Sequence, residues 1–421
     1  MPGPSTAAGA RTHRAAQLRW ATASELLGVM HASPGITRTK AREELALGSG
    51  AAADLIERLR AAHLLAERRA RPAGPGRPTT VLTAHPAGPL VLVVDLRSAG
   101  WRVVLGDLAG NTRDVAAGVF PGQGHPSLDQ DVLPGIASAV ETAVRSASGR
   151  VRAVVAVVAG TVSGTRVLQF ATRGWNTRTD LSVLTAGLPD DLRVPLIAGN
   201  DATLGGVAEA RCGAARGASV ALHLLVAVGV GGVLLLDGRP VTGARGAGGE
   251  YGHLPLGDPS LRCPCGAYGC WDLMVDGRAL ARLRGDAEPA DPYTYARGLL
   301  DARIGGGQAG PTDRHAIEVT VRALGRGIGA LVNLHDPEVV TLAGLGPRLR
   351  VADPEAFDRG YREGLMVFHR ADPPPVLDAT FGEGGPVRGA LGLGFAEVTS
   401  PAGLSDWEER RAGRASAAAP A

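Results

Sequence analysis

The stretch "GGEYGHLPLGDPSLRCPCGAYGCWD", residues 248–272, decides how the rest of the chain is read. It contains three of the four cysteines, Cys263, Cys265 and Cys270, and a histidine, His253, ten residues before the first of them. Thiolate and imidazole are the ligand types that tetrahedral zinc prefers. In C-x-C the two cysteines sit too close for an easy mutual disulfide, yet both thiolates can reach one metal. Gly266 and Gly269 let the loop curl around it. Three thiolates and an imidazole fill all four positions, so the expected site is closed and structural. Cys212 stands apart and reads as a buried small residue.

The histidine also belongs to "GGEYGH", where Glu250 precedes it by three residues. A metal on one imidazole nitrogen fixes the ring and leaves the other nitrogen to face a ligand. A carboxylate beside it suits hydroxyl groups. Upstream, "AGNDATLGG" (198–206) places Asn200 and Asp201 just after an apolar strand end. An aspartate there can take a proton from a hydroxyl or accept its hydrogen bond.

The composition is that of a soluble globular protein, 45% hydrophobic and 20% charged. With 421 residues, two or three domains are expected. Lys40 is the sole lysine, and arginine carries the remaining positive charge. The first residues lack the apolar core of a signal peptide. The longest apolar run, "LLVAVGVGGVLLL" (224–236), is too short and glycine-rich to span a bilayer. A cytoplasmic, reduced protein without membrane association is therefore expected, where clustered cysteines bind metal more often than they pair. Residues 1–85 hold 12 Lys+Arg against 6 Asp+Glu, whereas the remainder is mildly acidic. A basic head on an acidic body suggests that the head meets a polyanion.

Residues 1–13 read as a disordered start. Between 14 and 85 the pattern is helix, helix, turn, helix and hairpin, a winged helix-turn-helix. Its helices are expected over 15–32, over 37–45 with Thr37 as N-cap, and over 51–67. The arginine-rich "GPGRP" forms the hairpin tip. From residue 88 to 398 two successive runs of strands followed by helices predict a two-lobed α/β body with a cleft between the lobes. Residues 399–421 read as a solvated tail.

"NDATLGGVAEARCG", "DGRPVTGARGAGGEYGH" and "CPCGAYGCWD" together resemble the ROK family (repressor, open reading frame, kinase). The head resembles that of the family's regulator branch. This resemblance implies an actin-like, two-lobed sugar-kinase fold with a structural zinc held by His253, Cys263, Cys265 and Cys270. It implies that Asn200, Asp201, Glu250 and His253 touch a sugar. Asp272 stands where the family usually has a sugar-binding glutamate, and its shorter side chain weakens one hydroxyl contact. "TRGWN" (172–176) sits where the family places a loop over the sugar.

The phosphate loops depart from the kinase pattern. Kinases of the family resemble D-x-G-G-T at the first turn; here "DLRSAGW" keeps Asp95 but places Arg97, Ser98 and Ala99 where small, phosphate-contacting residues belong. The second loop, "AVGVGGV", has Ala227, Val228 and Val233 in place of a glycine, a threonine and a glycine. Added Cβ atoms block close backbone approach to phosphates, and the lost threonine removes a contact. The sequence thus predicts a sugar sensor without kinase activity: a sugar-responsive regulator, in this family most often a repressor, working as a homodimer or homotetramer on operator DNA. The competing class is an ATP-dependent hexose kinase with Asp201 as general base. In the head, Arg38, Lys40 and Arg42 are expected at DNA phosphates. Ser49 and Arg58 are expected at bases, behind a recognition-helix front made of Ala51, Ala52 and Ala53. Arg77 in the wing is expected in the minor groove.

Overall fold

The computed structural model describes residues 20–69, 80–120, 127–170, 175, 178–307 and 310–418. The predicted disordered start, the wing-tip Arg77 and all of "TRGWN" except Trp175 lie outside these residues.

The head is built of helices followed by a two-stranded antiparallel hairpin, an arrangement that fits a helix-turn-helix. Residues 20–32 are helical, followed by helices Arg38–Glu44 and Ser49–Ala61. Thr37 caps the second as its sequence predicts, its hydroxyl accepting from the Lys40 amide at 3.2 Å. The third helix stops six residues short of the expected end. His63 adopts φ +57°, a left-handed conformation that ends the helix. The chain then turns into strand Leu65–Arg69, which pairs antiparallel with Thr80–Ala84 to form the wing. Apolar residues at 64 and 65 continue the helical pattern but serve the strand, and periodicity alone does not separate the two.

Two five-stranded sheets build the lobes. In the first, the order is Leu196–Asn200, Val151–Val158, Leu90–Leu96, Gly100–Asp107, Thr112–Val119. In the second it is Arg239–Pro240, Gly229–Leu236, Val220–Ala227, Val339–Gly344, Val376–Asp378. Each combines an antiparallel hairpin with parallel strands reached through helical crossovers. Helix Leu133–Ser146 packs one face of the first sheet through Ile136, Val140 and Val144. The late helix Gly385–Val398 packs the other, where Gly394 lies against Val91 and Val155. Helix Asp201–Cys212 starts at the end of a first-sheet strand and packs on the second sheet. It therefore joins the lobes at the base of the cleft.

The predicted solvated tail is instead a helix, Pro401–Ala418, with Leu404 and Trp407 fully buried. Trp407 Nε1 donates to the Ala62 carbonyl of the head at 2.8 Å, and Arg411 to that of Ala61 at 3.2 Å. On the other side Asp406 pairs with Arg152, buried in the first sheet, and Arg410 donates to the Asp191 carbonyl at 2.8 Å. The sequence "SDWEERR" looks polar because its few apolar residues need two partners that lie far away in the chain. Head and first-lobe side chains, including Leu27, Leu59, Val91, Phe395 and Trp407, form one continuous apolar core. None of the described helices is long and apolar enough to cross a membrane.

Candidate functional site

The cleft between the lobes encloses a cavity of about 320 Å³. All five sequence-predicted sugar residues, Asn200, Asp201, Glu250, His253 and Asp272, line it. They come from three places in the chain. Asn200 is the N-cap of the lobe-joining helix: its Oδ1 accepts from Thr203 N at 3.0 Å, and its Nδ2 donates to the Gly160 carbonyl at 3.1 Å. Much of its hydrogen-bonding capacity thus fixes the cleft wall. Asp201 follows in the first turn, and its Oδ1 accepts from the Ala202 amide at 2.8 Å. Burial raises its pKa to about 7, with Asp95 and Glu250 adding to the rise, against the opposing pull of the Ala202 amide and Arg97.

Glu250 accepts from the Thr161 hydroxyl at 2.7 Å across the cleft, which ties the two lobes together. Thr161 carried no sequence signal as a site residue, because "AGTVSG" reads as an ordinary turn. Gly252 has a steric reason to be glycine: a Cβ there would fall 1.7 Å from Asp272 Oδ1 and 2.6 Å from the Val230 carbonyl. Asp272, buried, accepts from the Val230 amide at 2.6 Å and approaches His253 Nδ1 at 3.4 Å. Its own burial raises its pKa to about 6. The shorter aspartate is thus spent largely on the Val230 turn.

His253 faces two ways. Its Nδ1 lies 3.8 Å from Cys263 Sγ, while Nε2 lies 4.0 Å from Glu250 on the cleft side. The ligand atoms of His253, Cys263, Cys265 and Cys270 all lie within 4.8 Å of one another, as four donors around one metal ion require. Gly266 (φ +98°) and Gly269 (φ +69°) make the tight loop. Cys263 and Cys270 are buried, and burial pushes their thiols upward. A soft divalent cation supplies the charge that thiolates in this position need. The donor set fits zinc. Cys212, expected to be buried, is only half-buried, with Sγ directed at the Ala208 carbonyl.

At the first phosphate-loop position the structure shows a salt-bridge clamp. Asp95 is buried, and its Oδ2 accepts from Arg97 Nε at 2.9 Å and Arg102 Nε at 3.0 Å. Arg97 reaches on to the Glu383 carbonyl at 2.9 Å. Its guanidinium therefore closes the end of the cleft where Ser98 and Ala99 also stand. On the far wall Ala227 and Val228 turn between two strands of the second sheet, directly before Gly229. Tyr293 and Glu383, a hydrogen-bonded pair, also line the cavity, and neither was marked by any sequence pattern.

The predicted DNA residues are distributed unevenly. Lys40 is exposed and without an ion pair among the described residues. Arg38 approaches Glu67 at 3.5 Å. Arg42 donates to the Ser49 hydroxyl at 3.0 Å, bracing the second helix against the start of the third. Arg58 turns inward over the Trp20 ring at 5.4 Å, with its Nε buried. Of the three alanines, Ala51 is exposed, Ala53 half-buried and Ala52 buried.

A two-lobed actin-like fold with a His-Cys₃ cluster beside a polar cleft defines a sugar-kinase type of architecture. The sequence model of the ROK family matches residues 104–395, and the chain belongs to that family. Among curated proteins it is 31% identical to an N-acetyl-D-glucosamine kinase of Pectobacterium atrosepticum over 242 residues, covering 52% of this chain and 71% of the relative. It is 30% identical to a kanosamine kinase of Amycolatopsis mediterranei over 46% of this chain and 61% of that one. Among solved structures, a ROK family transcriptional regulator described as a homolog of E. coli Mlc superposes over 93% of this chain and 99% of its own. Its TM-score is 0.64 at 21% identity. A ROK glucokinase of Streptomyces griseus, solved with glucose and AMPPNP, covers 72% of this chain and 98% of its own. Its TM-score is 0.59 at 22% identity.

Proposed function

We propose that this chain is a sugar-responsive DNA-binding transcriptional regulator, a repressor, whose zinc-braced cleft binds a sugar or sugar phosphate without phosphorylating it. It works as a homodimer or homotetramer in the cytoplasm, on operator DNA. The observation that carries the reading is the Asp95 clamp. A carboxylate held by Arg97 and Arg102 is not free to organise a metal–nucleotide complex, and the Arg97 side chain takes the space a phosphate cradle must leave open. The fold likeness to the regulator runs through the head, whereas that to the glucokinase covers 72% of the chain.

Within the cleft Glu250 and Asp201 accept sugar hydroxyl hydrogen bonds, and His253 Nε2 completes the set. Zinc on the opposite nitrogen orients that ring. In the head, Lys40 meets DNA phosphate, joined by Arg38 and Arg42, while Ser49 and Ala51 face the major groove and Arg77 enters the minor groove. Sugar closes the lobes, and the head moves with the first lobe because the two share a core.

A second reading, an ATP-dependent hexose kinase with Asp201 as general base, is favoured by one observation: an aspartate with a pKa of about 7 in a cleft suits proton transfer. ATP turnover with a hexose panel separates the two. The regulator reading expects none above a protein-free blank; sugar-dependent ADP release that disappears in Asp201→Asn establishes the kinase instead.

Two outcomes follow for the cleft. Glu250→Gln weakens sugar binding by about ten- to a hundredfold, the loss of a charge-assisted hydrogen bond; calorimetric titration reads it, and an unchanged affinity removes Glu250 from the site. Asp201 also makes the ligand-free protein sensitive to pH. Its folded pKa is raised, so the stability it contributes is present at acidic pH, below the ordinary carboxyl value. That contribution is lost as pH rises through about 7. Asp201→Asn flattens this part of a stability–pH profile measured by urea unfolding.

A further inference from the structure

A second cavity, of about 350 Å³, lies between the head and the first lobe, away from the sugar cleft. The head contributes His31 and Ser24 from its first helix. The body contributes Arg211 from the end of the lobe-joining helix and Arg388 from the helix Gly385–Val398. A Cβ built on Gly392 would lie 3.0 Å from Arg211 Nη1 and 3.4 Å from His31 Nε2, so both groups overhang the same glycine. Arg388 donates to the His31 carbonyl at 3.3 Å and leaves its Nε buried without a partner, as is His31 Nδ1. Among the described residues neither arginine has a carboxylate within ion-pairing distance. Two guanidiniums and an imidazole thus line a cavity to which the described residues contribute no carboxylate. Burial above all, then Arg388 and Arg211, lowers the His31 pKa to about 4, against the opposing pull of the Leu108 backbone.

We infer that this interdomain cavity is an anion site that binds a phosphoryl group, held by Arg211 and Arg388 and joined to the head through His31 and Ser24. Guanidinium forks match phosphate oxygens in pairs. The apolar wall of Leu27, Leu108 and Phe395 leaves room beside the phosphoryl group for a small organic body, in the size range of small-ligand pockets. Because the walls come from both head and body, the bound anion favours the docked head. Both helices that supply the arginines also reach the sugar cleft, at Asp201 and at Pro386. The site is therefore placed to bias the same head–body arrangement that sugar acts on.

Calorimetric titration of the full chain at constant ionic strength tests this, with inorganic phosphate, glucose 6-phosphate and glucose as the three probes. Phosphate is expected to bind at one site per chain. Arg211→Gln, at a partly exposed helix end and so harmless to folding, weakens it about tenfold or more, and Arg388→Gln does the same. Glu250→Gln, in the sugar cleft, leaves phosphate affinity unchanged. Glucose 6-phosphate binding more tightly than phosphate, and losing that advantage in Arg211→Gln, identifies the ligand as a phosphate ester; equal affinity identifies it as free phosphate. Absence of phosphate binding, binding that survives both arginine variants, or binding abolished by Glu250→Gln overturns the assignment.

Discussion

Trp407→Ala is expected to cost about 3–5 kcal/mol, the range for emptying a fully buried large aromatic site, and to loosen the head from the body. The indole is 1% exposed, sits in the core shared by head and first lobe, and donates to the carbonyl of Ala62, the residue that follows the third head helix. The side chain left behind cannot fill the gap, and the Ala62 carbonyl loses its donor. Denaturant unfolding measures the loss. Hydrogen exchange locates it, with protection falling in residues 20–69 and 401–414 and holding in the second sheet. A loss under about 1 kcal/mol, with the head still protected, would mean that the last helix does not hold the head to the body.

The zinc proposed for the His-Cys₃ cluster accounts for the second large effect. Cys265→Ser, or chelation of the wild type, is expected to release one bound zinc per chain and to lower sugar affinity at least about tenfold, as loss of supporting metal-site interactions does. Among the described residues, the His253 ring has, apart from the thiolates, Asp272 at 3.4 Å and Glu250 at 4.0 Å. Metal analysis checks the first part and calorimetry with a sugar the second. Trp271, fully buried beside Cys270, reports the loop by a red shift of its emission. If the variant keeps wild-type sugar affinity, the imidazole is held by its neighbours and the metal plays no part in recognition.

Much of the body was legible because local pattern and tertiary role coincide there. "VRAVVAVVAG" and "EVVTLAGLG" are buried strands by composition alone, and the cysteine loop declares its geometry through its glycines. Asn200 and Asp201 stood out at a strand end and Glu250 and His253 in "GGEYGH", whereas Asp272 was marked only by the family resemblance. What the sequence concealed were features made by distant partners. Arg152 breaks an apolar strand and pairs with Asp406, over 250 residues away. Helix 401–418 appears polar until the head and first lobe are set against Leu404 and Trp407. The third head helix ends at a single left-handed histidine that no propensity announces. Arg97 was recognisable as a misfit in a phosphate loop, but its bond to Asp95 was not, because that depends on how the turn folds back. Arg58 was expected at the DNA surface from its helix position, yet the aromatic partner that draws it inward lies on another helix.

Sugar-dependent operator binding is read directly from the anisotropy of a labelled fragment of the gene's own upstream region, at physiological salt with excess competitor DNA, titrated first with protein and then with sugars. A sugar-responsive regulator binds the fragment in the presence of competitor, with a midpoint that shifts with at least one sugar in wild type but not in Glu250→Gln. Binding that competitor abolishes, together with a sugar panel that leaves the fragment's affinity unchanged, would contradict it.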